Sequence, residues 1–159
     1  MKKEIKEEYM KLAIEKAKEN LIKQDGGPFG ACIVRGKEVL AVEKNKVLKE
    51  DATSHAEINA IRAASKKIEN FNLEGSVIYS TTEPCPMCFS AIYWARIGVL
   101  VYGTKIEDAA ASGFNELSIS NDKLNEAAEF RVEIYPGFLA EECKKLFFFW
   151  DKLPHKRFY

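Results

Sequence analysis

The stretch Ser76-Val77-Ile78-Tyr79-Ser80-Thr81-Thr82-Glu83-Pro84-Cys85-Pro86-Met87-Cys88, continued by Phe89 to Arg96 and then Gly98-Val99-Leu100-Val101-Tyr102, decides the fold. Ser76 to Ser80 is a short β-forming run. Pro86 to Arg96 has helical length behind a proline suited to a first turn, and Gly98 to Tyr102 is a second β-forming run. Strand, helix and strand at this spacing make a crossover unit, which predicts parallel pairing and a right-handed connection.

Outward from that unit, toward the N-terminus, His55 to Lys66 reads as a helix with Ser54 or Thr53 available as its cap. Phe29 to Val34 and Glu38 to Val42 are strand-like runs around an Arg35-Gly36-Lys37 turn, so an antiparallel hairpin is expected. Ahead of the Asp25-Gly26-Gly27-Pro28 breaker, apolar residues recur at Ile5, Tyr9, Leu12, Ala13, Ala17 and Leu21, which predicts an amphipathic helix over Ile5 to Leu21. Its mixed charges, such as Glu7 and Lys11, read as a solvated face. Toward the C-terminus, Arg131 to Tyr135 alternates as a fifth strand, Pro136-Gly137 turns the chain, and Leu139 to Trp150 closes it with a helix. The expected product is a single domain over residues 1–159: a three-layer α/β/α sandwich with a five-stranded mixed sheet.

Composition narrows the classes of function. A chain of 159 residues with 47% hydrophobic and 30% charged residues has the apolar mass for one packed core. Lys plus Arg at 24 balance Asp plus Glu at 24, so no large field draws a polyanion to the surface, which argues against a nucleic-acid partner. No apolar run approaches the ~20 residues of a membrane helix, and Met1-Lys2-Lys3-Glu4 opens a charged segment rather than a signal peptide. A cytoplasmic protein with no membrane association is expected. In that compartment disulfides are uncommon, so a close cysteine pair reads as a metal or redox site. Cys85 and Cys88 form that pair; Cys32 and Cys143 read as packing or surface residues.

His55-Ala56-Glu57 at the start of one helix and Pro84-Cys85-Pro86-Met87-Cys88 at the start of the next define a chemistry together. Zinc prefers tetrahedral nitrogen and sulfur ligands, and a structural site fills all four positions with protein atoms. Here a fourth ligand would have to come from near-terminal His155 or from a remote cysteine. His55, Cys85 and Cys88 with one open position are simpler, and an open position is where a catalytic zinc keeps its water. Cys85 and Cys88 share a helix face, and the positive end of that helix lowers thiol pKa. His55 and Glu57 stand roughly 200° apart on a regular helix, so they take different roles. Two thiolates already cancel the charge on Zn²⁺, which leaves a weaker Lewis acid; Glu57 compensates by accepting the proton of the water and passing it on.

The motifs resemble those of the cytidine-deaminase-like superfamily, the zinc nucleobase deaminases, and within it those of the guanine deaminases. The resemblance runs from Gly26-Gly27-Pro28-Phe29-Gly30-Ala31 through Asp51 to Arg62, Thr82 to Cys88, Ala91 to Arg96 and Asp108 to Phe114. It implies hydrolytic deamination in purine catabolism, guanine to xanthine with release of ammonia, with Glu57 protonating the ring nitrogen beside the attacked carbon and then the departing amine. The tRNA adenosine deaminases and deaminases of cytosine or another aminated heterocycle share the zinc motifs and are the rival enzymes; a non-catalytic zinc-stabilised binding module is the rival of another class. The resemblance further implies a base pocket. Phe29 would lay its ring on a purine, Asn45 would offer donor and acceptor to its edge, and the Ala56 backbone would help hold it. Glu116 stands where the family usually shows Asp, an acceptor suited to the ring N–H and amino group of guanine. Tyr159 matches a terminal tyrosine that closes over the pocket, its own or that of a partner subunit. Phe147-Phe148-Phe149-Trp150 is more aromatic surface than one short helix hides on one side, which points to a homodimer or an exchanged C-terminal segment. Trp94 falls away from Cys88 on its helix and is expected in the core.

Overall fold

The computed structural model describes residues 4–159; Met1 to Lys3, part of the segment read above as unlike a signal peptide, lie outside it. Five strands form one mixed sheet: β1 (Gly30–Arg35), β2 (Glu38–Lys44), β3 (Ser76–Thr82), β4 (Val99–Thr104) and β5 (Glu133–Tyr135), in the order β2-β1-β3-β4-β5. β1 runs antiparallel to both β2 and β3, and β3–β4 and β4–β5 are parallel. The helices are α1 (Glu7–Lys18), α2 (Asn20–Lys23), α3 (Ala56–Ile68), α4 (Pro86–Trp94), α5 (Ile106–Ala111), α6 (Asn121–Glu126) and α7 (Ala140–Asp151).

The side chains of β1, β3 and β4 alternate between two cores, as the period of a strand requires. Ala31, Ile33, Ile78 and Leu100 face α3 and α4, where Ala56, Ala60, Ala64, Phe89 and Ile92 cover them. Cys32, Val34, Tyr79, Val99 and Val101 face α1 and α7, under Met10, Ala13, Ala17, Cys143 and Leu146. The three-layer sandwich and the β3–α4–β4 crossover are therefore as expected, and Cys32 and Cys143 are packing residues. A third cluster, Ala109, Phe114, Phe147 and Trp150 with Phe29 and Tyr159 against it, closes one end of the sheet.

Several boundaries and placements differ from the sequence reading. The first helix breaks at Glu19 into α1 and α2, and its buried stripe is Tyr9, Met10, Ala13, Ile14 and Ala17, leaving Leu12 exposed. The fifth strand is shorter than Arg131 to Tyr135 because the Asn125 amide brackets Val132, accepting from its N–H at 2.9 Å and donating to its C=O at 2.8 Å, in place of a strand neighbour. Trp94 is 67% exposed: α4 buries Cys88, Phe89 and Ile92, and Trp94 ends the opposite face. Neither Ser54 nor Thr53 caps α3. Ser54 Oγ is engaged instead with Glu50 Oε2 at 2.6 Å and Asn59 Oδ1 at 3.0 Å, and His55 itself holds the N-cap position. α5 and α6, between β4 and β5, are short helices that the apolar pattern did not announce.

Candidate active site

Two helices begin at the same place. Cys85 is the N-cap of α4, Pro86 opens its first turn, and Cys88 follows one turn on; His55 is the N-cap of α3. Because His55 has extended backbone (φ −69°, ψ 157°), this change of conformation, and not rotation around a helix, sets its side chain apart from that of Glu57. The His55 Nδ1 atom lies 3.5 Å from Cys85 Sγ and 3.5 Å from Cys88 Sγ. Zn–N and Zn–S bonds of ordinary length meeting at a tetrahedral angle put such ligand atoms about 3.6 Å apart, so the three side chains fit a zinc ion. Among the described residues they are the group able to hold a metal. His155 lies on an exposed stretch near the C-terminus, and Cys32 and Cys143 are packed in the α1/α7 core, so none of the remote candidates completes the set.

The three side chains perturb one another electrostatically. The hydrogen bond from Cys88, with the one to His55, draws the Cys85 thiol down to about 4 despite burial, whereas burial pushes Cys88 well up. Both sulfurs must be deprotonated to act as thiolate ligands, so binding a metal would release protons. Burial disfavours the His55 imidazolium, but the Cys85 sulfur and the Glu57 carboxylate outweigh it and raise the group. Nδ1 faces both sulfurs, which makes it the atom offered to a metal.

Glu57 sits on the first turn of α3, 7% exposed. Its Oε2 accepts from the Cys88 thiol at 3.4 Å, and its Oε1 lies 2.8 Å from Ser80 Oγ. Burial raises its pKa, the nearby Cys85 charge adds to this, and His55 and Ser80 pull the other way. A buried carboxyl raised in this manner holds a proton closer to neutral pH than an exposed one does, the property that a proton carrier needs.

Phe29, Asn45, Glu116 and Tyr159 line the same hollow as His55, Glu57 and Cys85, together with Thr82 and Glu83 at the carboxyl end of β3. The Phe29 ring stands edge-on to Phe114, with centroids 4.9 Å apart. Asn45 is 2% exposed, and its Oδ1 accepts from Val47 N–H at 3.0 Å, which leaves its NH₂ as the group free to turn to a ligand. Burial raises the Glu116 carboxyl, followed by the Cys85 charge. Tyr159 OH accepts from Gly27 N–H of the same chain at 3.0 Å. Ala56 is fully buried as the first residue of α3, so its contribution is limited to backbone.

Two site residues were not picked out from the sequence. Ser80 touches Glu57, and the available signal was a hydroxyl at a core-facing position of an apolar strand. Glu83 accepts from Asn121 N–H at 2.9 Å and Ile106 N–H at 3.4 Å, so it ties the starts of α5 and α6, which flank the loop carrying Glu116. No local pattern announces that role.

The chain is similar to known deaminases. The cytidine and deoxycytidylate deaminase zinc-binding region matches residues 3–104. The guanine deaminase of Bacillus subtilis is 36% identical over 154 residues, covering 96% of this chain and 98% of that protein. Its crystal structure superposes with a TM-score of 0.69 at 34% identity, covering 98% of this chain and 100% of the other. A guanine deaminase from Nitrosomonas europaea superposes at 0.81 with 25% identity, covering 91% of this chain and 84% of the other. The tRNA-specific adenosine deaminase of Haemophilus influenzae is 37% identical over 128 residues, 79% of this chain and 72% of that protein. With most of its length inside the shared zinc-binding pattern, the chain belongs to the cytidine and deoxycytidylate deaminase family and is a zinc-dependent aminohydrolase.

Proposed function

We propose that the protein converts guanine and water to xanthine and ammonia. The observation that carries this reading is one hollow lined by His55, Cys85 and Glu57 together with the acidic acceptor Glu116. Guanine presents a ring N–H and an amino group as donors, which a carboxylate accepts. Adenine and cytosine lack that pair of donors on one edge. Asn45, its oxygen committed to Val47, would offer its NH₂ to an acceptor on the purine, Phe29 would cover the ring face, and the Ala56 N–H, at a helix position without an intrahelical partner beside the lining residues His55 and Glu57, would be available to the base. Similarity to a guanine deaminase over 96% of the chain supports the same reading.

His55, Cys85 and Cys88 would hold zinc, which when bound supplies Lewis acidity to the attacking water. Glu57 takes a proton from that water as the C–O bond forms at the carbon bearing the amine. It delivers that proton to the adjacent ring nitrogen, takes the second proton from the newly formed hydroxyl, and passes it to the amine as the C–N bond breaks, leaving a carbonyl and ammonia. Ser80 fixes one carboxylate oxygen throughout.

The reading includes a homodimer, supported by Phe148 and Phe149, 54% and 46% exposed on α7, and by Trp94 and Phe71 elsewhere on the surface. Exchange of C-terminal segments would carry Tyr159 to the partner's pocket with the same bond that it makes here to its own Gly27. A cytoplasmic setting in purine catabolism accords with a site that needs reduced thiols. The second reading, tRNA adenosine deaminase, draws support from the 37% identity to such an enzyme. Ammonia release from guanine, adenine, cytosine, their nucleosides and a tRNA anticodon stem decides between them: guanine is expected to lead the panel by at least about tenfold in kcat/KM, and a lead by any other substrate contradicts the assignment.

A further inference from the structure

We propose that Asn20 is a positioning residue for base recognition, the joint that sets how far apart the two walls of the purine pocket stand. It lies outside the hollow, fully buried in α2, and both protons of its amide are donated to backbone carbonyls of pocket segments: Gly27 O at 2.8 Å and Asn45 O at 2.8 Å. Its Oδ1 meets no donor among the described residues. The amide orientation is fixed all the same, since turning it over would set an oxygen against two carbonyls.

Each carbonyl belongs to a wall. Gly27 donates its N–H to Tyr159 OH at 3.0 Å and accepts from Phe29 N–H at 2.9 Å, so its peptide carries the aromatic cover. It has no room for a side chain: a Cβ there would stand 2.5 Å from the Phe29 ring, 2.7 Å from Tyr159 OH and 2.8 Å from the Phe114 ring. Asn45 carries the edge-reading amide, and its own N–H donates to Phe29 O at 3.1 Å. Gly26, between them, would drive a Cβ to within 2.0 Å of Asn45 Oδ1. The two walls therefore touch at closest packing; beside the direct backbone bond from Asn45 N–H to Phe29 O, the Asn20 amide is the side chain that ties one to the other from the interior. Its loss would let the Asn45 NH₂ and the Phe29–Tyr159 cover drift relative to each other without touching Glu57 or the metal ligands.

This inference rests on Asn45 and Phe29 as base-binding residues, and a double-mutant cycle separates the two claims. Steady-state constants for guanine are measured in the zinc-loaded wild type, Asn20→Leu, Asn45→Ala and the double variant. Leucine keeps the size of the side chain and removes both donors. Asn20→Leu is expected to raise KM about tenfold with kcat within about twofold, the signature of lost uniform binding. In the Asn45→Ala background the same change is expected to add less than about threefold. A full tenfold effect in both backgrounds, or a fall in kcat with KM unchanged, overturns the positioning role, because a merely structural residue acts without regard to Asn45. If Asn45→Ala alone leaves KM unchanged, the base-binding reading of Asn45 falls, and the inference with it. Should Asn20→Leu fail to fold, Asn20→Ser, which keeps one donor, enters the same cycle with the same criteria and a smaller expected rise.

Discussion

The two sides of the hollow are built by different means. The zinc side comes from two helix N-termini: His55 caps α3, Cys85 caps α4, and Glu57 and Cys88 follow within one turn. Each functional group is placed by the backbone of a regular element anchored in the core, and the four residues fall in two short segments. The base side comes from four separate stretches, at Phe29, Asn45, Glu116 and Tyr159, none of them within a helix or strand. Beside the backbone bond from Asn45 N–H to Phe29 O, what holds those stretches together is side-chain hydrogen bonding, from Asn20 to Gly27 and Asn45, from Tyr159 to Gly27, and from Glu83 to the starts of α5 and α6. In the proposed reading, chemistry is thus carried by rigid local geometry, and recognition by a network that a single substitution would loosen.

That contrast predicts effects of unequal size. On the zinc side, Cys88→Ala removes a ligand that no other cysteine can replace; bound zinc measured by atomic emission should fall well below one per chain, and guanine turnover should drop by at least about 10³-fold. Full activity with zinc retained would mean that the three-ligand set is misassigned. On the base side, the smallest effect concerns the turn before Phe29. Lys44 Nζ lies 3.0 Å from Asp25 Oδ2 and 3.3 Å from Glu19 Oε2 beneath that turn. The Lys44 ammonium beside Asp25 holds its carboxyl below the usual range, and Lys16 followed by Lys44 does the same for Glu19. A carboxyl depressed in the folded state contributes stability above its unfolded pKa, near 4, that is lost as pH falls through the folded value. Lys44→Met should therefore flatten the acid limb of stability, shrinking the difference in melting temperature between pH 6 and pH 3, with activity near neutral pH little changed. An unchanged acid limb would show that the ion pair is immaterial to the turn.

The same contrast explains what could be read from the chain before its structure was known. The β3–α4–β4 crossover was legible because apolar runs and Pro86 are local signals, and so was the grouping of Cys85 and Cys88 with His55 as a set that could hold a metal, because i, i+3 spacing at a helix start is itself geometry. The break at Glu19, the side chain pairing of Val132 with Asn125 and the exposure of Trp94 were not, since each is settled by what the remainder of the fold places alongside. Asn20 is the extreme case. Nothing around it in sequence marks it, and its partner Asn45 stands 25 residues away.

The claim on which the account turns is that Glu57 carries the proton beside an intact zinc site. Glu57→Gln keeps the size of the side chain and its neighbours, so zinc content and melting temperature should stay at wild-type levels while kcat for guanine falls by about 10³-fold or more. A Gln variant that keeps its zinc and still deaminates guanine within about tenfold of the wild-type rate would contradict it.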